Sequence, residues 1–286
     1  MKYILLLTAA ILASAAFSNG FDDTLEKAKA GDVIAQFNLA LMYTKGEGVT
    51  KSDVEAINWL RKAAAQGDAE SQLFLGLMYD TGQGVPKSAI VALEWFKKAA
   101  DQNNSEAQFF VAQAYDTGKG ASEDDAEAVK WYQKAAAHGH ANAQANLGVM
   151  YANGEGVEKN VSEAVKWYRK GAGQGFKGAQ YNLARMYTTG SGVSKDEAEA
   201  VKWYRKSAKQ EHVGAQYNLG LMYAHGLGVQ TNDVQAYVWW SIAESHGLTA
   251  ASKNITILKS YMTKRQIEDA QAQAEKCIQV NYKDCD

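Results

Sequence analysis

The sequence predicts an all-α solenoid built from six helical hairpins, and three periodic residue types carry that prediction. Gln36, Gln72, Gln108, Gln144, Gln180 and Gln216 stand 36 residues apart. Tyr43, Tyr79, Tyr115, Tyr151, Tyr187 and Tyr223 keep the same step, as do Trp59, Trp95, Trp131, Trp167, Trp203 and Trp239. Self-similarity at this length marks a solenoid, because one repeat cannot bury its own apolar face and a stack of neighbours can. Asp32 to Gly247 therefore reads as six repeats, residues 32–247.

Each repeat carries two helical segments separated by turn residues. In the first repeat, segment A runs from about Val33 to Lys45, with Ala35, Leu39, Met42 and Tyr43 at helical spacing. Gly46-x-Gly48 ends it, and the same G-x-G returns in every repeat; a glycine just past a helix takes the left-handed conformation that satisfies the last carbonyls. These glycines end helices rather than joining a strand to a helix, so they do not form a dinucleotide loop. Segment B opens on Ser52, Ser88, Asp124, Asn160, Asp196 or Asn232, all good N-caps. Three residues on stand Glu55, Glu127, Glu163, Glu199 and Gln235, which predicts a reciprocal capping box in five of the six repeats, Val91 being the exception. Segment B closes near Gly67, Asn103, Gly139, Gly175 and Gly247, with Glu211 breaking the rule.

The ends read as caps, since a bare terminal repeat would expose its stacking face. Residues 19–31 hold a short N-terminal cap helix, with Lys27-Ala28 in register with Ala63-Ala64. Residues 248–286 hold C-terminal capping helices, the last starting at Thr263 with Gln266 in the capping-box position. Cys277 and Cys285 are the two cysteines of the chain, and a lone nearby pair in an exported protein is most simply a disulfide. It contributes about 2–3 kcal/mol by pinning the end of the array.

Export is expected from residues 1–18, where Met1-Lys2 leads a short apolar run with small residues near Ala15 and Ser18. These are the flanks of a cleaved signal peptide, and the run is short for a membrane span. The expected location is periplasmic or secreted, without stable membrane insertion after cleavage. A net charge of −2, from 30 basic and 32 acidic residues, argues against a nucleic-acid partner, which calls for a basic stripe.

The stretch Ala215 to Val229, A-Q-Y-N-L-G-L-M-Y-A-H-G-L-G-V, resembles the Sel-one-like repeat, as does A-V-K-W-Y-R-K at Ala200 to Lys206. The resemblance covers all six repeats and combines Gln, Tyr, G-x-G-V and Trp at fixed offsets. That family is similar to tetratricopeptide repeats, which implies a right-handed superhelix whose concave face binds peptides or proteins. Bacterial members resembling this chain are often exported, and several act in host interaction, signalling or assembly of complexes, which implies the same classes of role here. The Cys277-x7-Cys285 spacing resembles that of a cysteine-rich Helicobacter branch, although the equivalent positions of the repeats, such as Ala64 and Gln72, are not cysteine.

Positions that stay fixed between repeats read as core, and the six tryptophans fall in line with them as buried wedges. A second stripe on segment A varies. If the A helices line the inner curve, as the resemblance implies, Phe37, Leu73, Phe109, Tyr181 and Tyr217 line a groove with Gln113 and Arg185 beside them. The alternative is that the stripe packs against neighbouring A helices. Asn38, Asn146, Asn182 and Asn218 recur next to it, and an amide that donates and accepts suits an extended peptide backbone. Asp80 and Asp116 add negative charge in the middle, which would favour a basic partner or the N-terminus of one. Glu127/Lys130, Glu163/Lys166 and Glu199/Lys202 read as a solvated outer face, and the histidines as turn decorations rather than metal ligands.

The expected function is a protein-interaction scaffold that takes no cofactor or metal and is not an enzyme. The rival reading, a hydrolase of the β-lactam or peptidoglycan type as linked with the cysteine-rich branch, wants an activated nucleophile. No serine has a lysine three residues on, and Lys-Thr-Gly, H-E-x-x-H and G-x-S-x-G are absent from the sequence.

Overall fold

Residues 20–280, 282 and 285 are described by a computed structural model, and among them there are fifteen helices and no strand. The expected signal peptide, with its cleavage points near Ala15 and Ser18, lies outside the described residues. The architecture is an α/α solenoid of six repeats, divided into two compact units that meet in sequence at His138 and Gly139. In the first unit, α1 (Phe21–Lys29) precedes three A–B hairpins: α2 (Val33–Lys45) with α3 (Asp53–Ala65), α4 (Ala69–Thr81) with α5 (Ala89–Ala100), and α6 (Ser105–Thr117) with α7 (Asp125–Ala137). The second unit pairs α8 (Ala141–Asn153) with α9 (Val161–Gly173), α10 (Lys177–Thr189) with α11 (Glu197–Ala208), and α12 (Val213–His225) with α13 (Asp233–Ser245). It ends in α14 (Thr249–Lys259) and α15 (Lys264–Gln279).

The B helices start where their N-caps place them. Each cap side chain, from Ser52 to Asn232, accepts the backbone N–H three residues on. The expected reciprocal half of the box does not form there. Each cap's own N–H already donates to the carbonyl of the recurrent tyrosine, as Ser52 does to Tyr43 at 2.9 Å and Asn160 to Tyr151 at 2.8 Å. The glutamates are drawn elsewhere: Glu163 pairs with Lys166 at 2.7 Å, and Glu127 with both Lys130 at 2.8 Å and the Trp131 indole N–H at 3.0 Å. Where no such tyrosine competes, at Thr263 and Gln266 of α15, the box closes in both directions.

The helix ends also follow local chemistry. Gly46, Gly82, Gly118, Gly154, Gly190 and Gly226 are all left-handed caps of A helices. At the B-helix ends, Asn103 and Glu211 take the same left-handed conformation as the glycines of the other repeats, with φ of 65° and 63°. Glu211 thus departs from the residue pattern and keeps the geometry, at a cost that glycine would avoid.

The recurrent glutamine is the joint of the array. Gln72 and Gln108 donate to Ala64 O and Ala100 O at 3.2 and 3.1 Å, eight residues back at the end of the preceding B helix. In the second unit Gln180 and Gln216 do the same to Ala172 O and Ala208 O at 3.3 and 3.2 Å. Each side-chain oxygen accepts from a residue thirty positions on: Gln102 reaches Gln72 at 2.8 Å and Gln210 reaches Gln180 at 2.8 Å. His138 and His246 stand in that donor position, each with Nδ1 3.0 Å from the Oε1 of Gln108 and Gln216. Because the glutamine N–H is spent on a carbonyl, Nδ1 of each ring carries the hydrogen. His140 and His212 play a second role, as N-caps whose Nδ1 accepts the N–H of Ala143 at 3.1 Å and Ala215 at 3.2 Å. These four histidines are thus structural joints, which corrects their reading as turn decorations.

Packing between the paired helices uses complementary sizes. Gly76, Gly148 and Gly220 on A helices lie under the rings of Phe96, Tyr168 and Trp240, where an added Cβ would overlap the ring. In the alternate repeats Ala40, Ala112 and Ala184 occupy that position. The C-terminal cap closes with Cys277 and Cys285 joined in a disulfide, both buried. Tyr282 inside that loop places its hydroxyl 3.1 Å from His246 Nε2, which accepts its hydrogen given the Nδ1–H tautomer.

Candidate interaction face on the A helices

The A-helix stripe is two different surfaces. In the first unit it is largely closed. Phe37 and Phe109 are buried and Leu73 has no exposed surface, so none of the three presents an open contact; this corrects their place in the expected groove. Phe37 packs edge-on against Phe74, with centroids 5.3 Å apart, and Phe109 lies 6.0 Å from the Tyr132 ring. Phe110 stacks on Phe96 at 4.9 Å. The alternative of packing between helices thus accounts for these side chains. Asn38 and Gln113 remain half-exposed. The two acids are already engaged, Asp80 by Lys119 and Asp116 by the Tyr132 hydroxyl, which donates at 2.9 Å.

In the second unit the stripe is open and polar. Asn146, Tyr181, Asn182, Tyr217 and Asn218 are half-exposed and Arg185 is exposed. Helical spacing explains the alignment: Tyr181, Asn182 and Arg185 lie on one side of α10, and Tyr217 and Asn218 occupy the same positions on α12. Tyr181 is held rigidly. Its ring stacks on His212 with centroids 4.3 Å apart, sits 6.0 Å from Tyr204, and carries the Arg185 guanidinium 5.8 Å from its centroid. Tyr217 accepts from Asn254 Nδ2 at 3.2 Å, and its carbonyl accepts from the Trp240 indole at 3.1 Å. Asn218 lies close to the Tyr204 hydroxyl. Behind this face, burial pushes the Tyr168 phenol up to about 12 and raises Tyr204 as well. Burial lowers His212, with Lys177 nearby adding to the shift, which suits an imidazole that must stay neutral to accept a backbone N–H. His212, Tyr204 and Asn254 were not marked by the sequence pattern, because their part in the face depends on contacts between elements.

The B helices carry a different feature. Lysines three residues past the tryptophans cover their rings, as Lys62 over Trp59 at 3.7 Å, Lys134 over Trp131 at 3.6 Å and Lys170 over Trp167 at 3.9 Å. Trp239 is wholly buried, whereas Trp95, Trp167 and Trp203 are wedges with one half-exposed side. With the pairs Glu127–Lys130, Glu163–Lys166 and Glu199–Lys202, all within 2.9 Å, this is a charge-balanced face.

Among the described residues no group of three or more His, Cys, Asp or Glu is placed to hold a metal ion. No described helix is long and apolar enough to cross a membrane.

Stacked helical hairpins with an open A-helix face define a repeat scaffold of the tetratricopeptide-like class. The Sel1 repeat matches residues 33–68, 69–104, 105–140, 141–176, 178–212 and 213–248, and the chain belongs to that family. It is similar to the crystal structure of a protective antigen present in uropathogenic Escherichia coli strains and displaying an SLR fold. There the identity is 35%, the TM-score 0.85, and the match covers 92% of this chain and 57% of that one. The chain thus spans less than two thirds of that relative's length. It is also similar to a Sel1 repeat protein from Oxalobacter formigenes, with 34% identity, a TM-score of 0.68, and 78% of this chain and 96% of that one covered. The comparison with curated proteins gives no match. Membership of the Sel1 repeat family points to a protein–protein interaction scaffold.

Proposed function

We propose that the protein is an exported scaffold that binds a segment of another protein on the A-helix face of its second unit. The observation that carries this reading is the half-exposed row Tyr181, Asn182, Arg185, Tyr217 and Asn218, held in place by packing beneath it. Aromatic rings fixed by stacking give contact area at little entropic cost, and amides beside them pair with peptide backbone. The closed, apolar stripe of the first unit supports a structural role for repeats one to three. Export rests on the lysine-led apolar run at the start of the chain and on the disulfide at its end. Host interaction and envelope-complex assembly both fit such a scaffold.

The test has two arms. Cell fractionation with N-terminal sequencing should give a periplasmic or secreted form starting near Ala16 or Asn19; an intact N-terminus in the cytoplasm would remove export. Cross-linked capture from that fraction, comparing wild type with Asn182→Ala/Tyr217→Ala, should yield a partner that the variant loses. A partner retained equally by both would move binding off this face.

A further inference from the structure

The A helices of the two units differ in charge. In the first unit they carry Glu70, Asp80, Glu106 and Asp116 against Lys45, and two of their N-caps are Asp32 and Asp68. In the second unit they hold no acidic residue: α8 is uncharged, α10 carries Lys177 and Arg185, and α12 ends on His225. Their N-caps are His140, Phe176 and His212, so no carboxylate enters from the caps either.

Arg185 is the odd member of its repeat position, which is Leu41, Leu77, Gln113, Val149 and Leu221 elsewhere. It forms no ion pair among the described residues; its guanidinium lies 5.8 Å from the Tyr181 ring centroid and within electrostatic reach of the buried Tyr168 and Tyr204 hydroxyls. Lys177, by contrast, is spent on Gln210 O at 3.0 Å. An exposed guanidinium steadied by an aromatic face, with no carboxylate of its own, is prepared for a planar bidentate anion.

We infer that the second unit recognises an acidic segment of its protein partner, with an Asp or Glu side chain of that segment seated on Arg185. Asn182, one turn back on α10, and Asn218 on α12 hold the backbone on either side of the carboxylate. Tyr181 stands beside the guanidinium, its ring centroid 5.8 Å away. The inference rests on the A-helix face being the binding surface, and it adds the chemistry of the partner. It reverses the sequence-derived expectation of a basic partner, because Asp80 and Asp116 are internally paired and lie in the other unit.

The test selects random peptides fused to a phage coat protein, which leaves no free C-terminal carboxylate, against the immobilised full chain. Selected sequences are then made as amidated, dye-labelled peptides and titrated by fluorescence anisotropy. The expected result is enrichment of Asp and Glu and affinity that falls with salt. Arg185→Glu should weaken binding about tenfold or more, with Arg185→Lys between, since a hydrogen bond to a charged group is traded for repulsion. Arg185 is exposed, so equal thermal unfolding of the variants checks the fold. Peptides without acidic enrichment, or acidic peptides that bind Arg185→Glu within twofold of wild type, overturn the inference. If such peptides still lose affinity in Asn182→Ala/Tyr217→Ala, the binding face stands and only the carboxylate reading falls. Failure to select any peptide overturns both.

Discussion

Replacing Gln108 by Leu tests whether the glutamine joint stabilises the array or merely fills space. Gln108 is 1% exposed, donates to Ala100 O at 3.1 Å and accepts from His138 Nδ1 at 3.0 Å. Leucine has nearly the same volume, so the change leaves little cavity. Its partners are not stranded: Ala100 O still accepts from Asn103 N at 3.0 Å, and His138 is exposed and turns to water. The loss is therefore two net hydrogen bonds at ~1 kcal/mol each, about 2 kcal/mol, without the added penalty of an orphaned buried group. Urea unfolding followed by tryptophan fluorescence reads the total. Because repeat arrays unfold by neighbouring segments, amide exchange in α5 and α6 should be read beside it. Gln113→Leu, on the same helix and half-exposed, is the control and should stay within about 0.5 kcal/mol of wild type. A Gln108 variant as stable as that control would refute the claim that the joint contributes.

Three further outcomes follow from the same geometry. Glu211→Gly should raise stability by about 1 kcal/mol in urea unfolding, because Glu211 holds a left-handed φ of 63°. Gly220→Ala should cost about 1–3 kcal/mol by the same assay, since the new methyl displaces the Trp240 ring, and the tryptophan emission should shift with it. His212 accepts the Ala215 N–H only when neutral, and burial places its folded pKa below the ordinary 6.5. Its contribution is present above that ordinary value and is lost as pH falls through the lowered one. His212→Asn keeps an N-cap that does not titrate, so its thermal unfolding should fall less than that of wild type between neutral and acid pH.

Much of the fold was legible because it is set within a few residues. N-caps such as Asp124 and Asp196, and glycines such as Gly46 and Gly154, act on their own helix ends, and there the reading matches the structure. The capping boxes failed for a nonlocal reason, the tyrosine carbonyl nine residues upstream that takes the cap's N–H. The histidines were misread for a related one: His138 equals Gln102 and Gln174 by repeat position, yet its partner sits thirty residues back. The face was legible by half. Periodicity located the stripe, but whether position 37 and its equivalents face solvent depends on neighbouring side chains. Phenylalanine or leucine there sinks into the first unit, and Tyr181 and Tyr217 stay half-exposed in the second.

The glutamine joint also determines where this chain tolerates being cut. A repeat drawn by sequence period runs from one A helix to the end of its B helix, yet Gln180 takes its acceptor from α9 before it and its donor from Gln210 after it. Excising the Lys177–Gln210 hairpin along its period would expose a glutamine amide cut off from Ala172 O. Leaving it out would strip Gln216 of Ala208 O. The smallest portable piece is an A helix with the B helix on each side. Domain dissection, insertion of reporters and grafting of the Arg185 face onto other arrays should therefore follow three-helix boundaries, starting inside an A–B loop and ending in the turn after the second B helix.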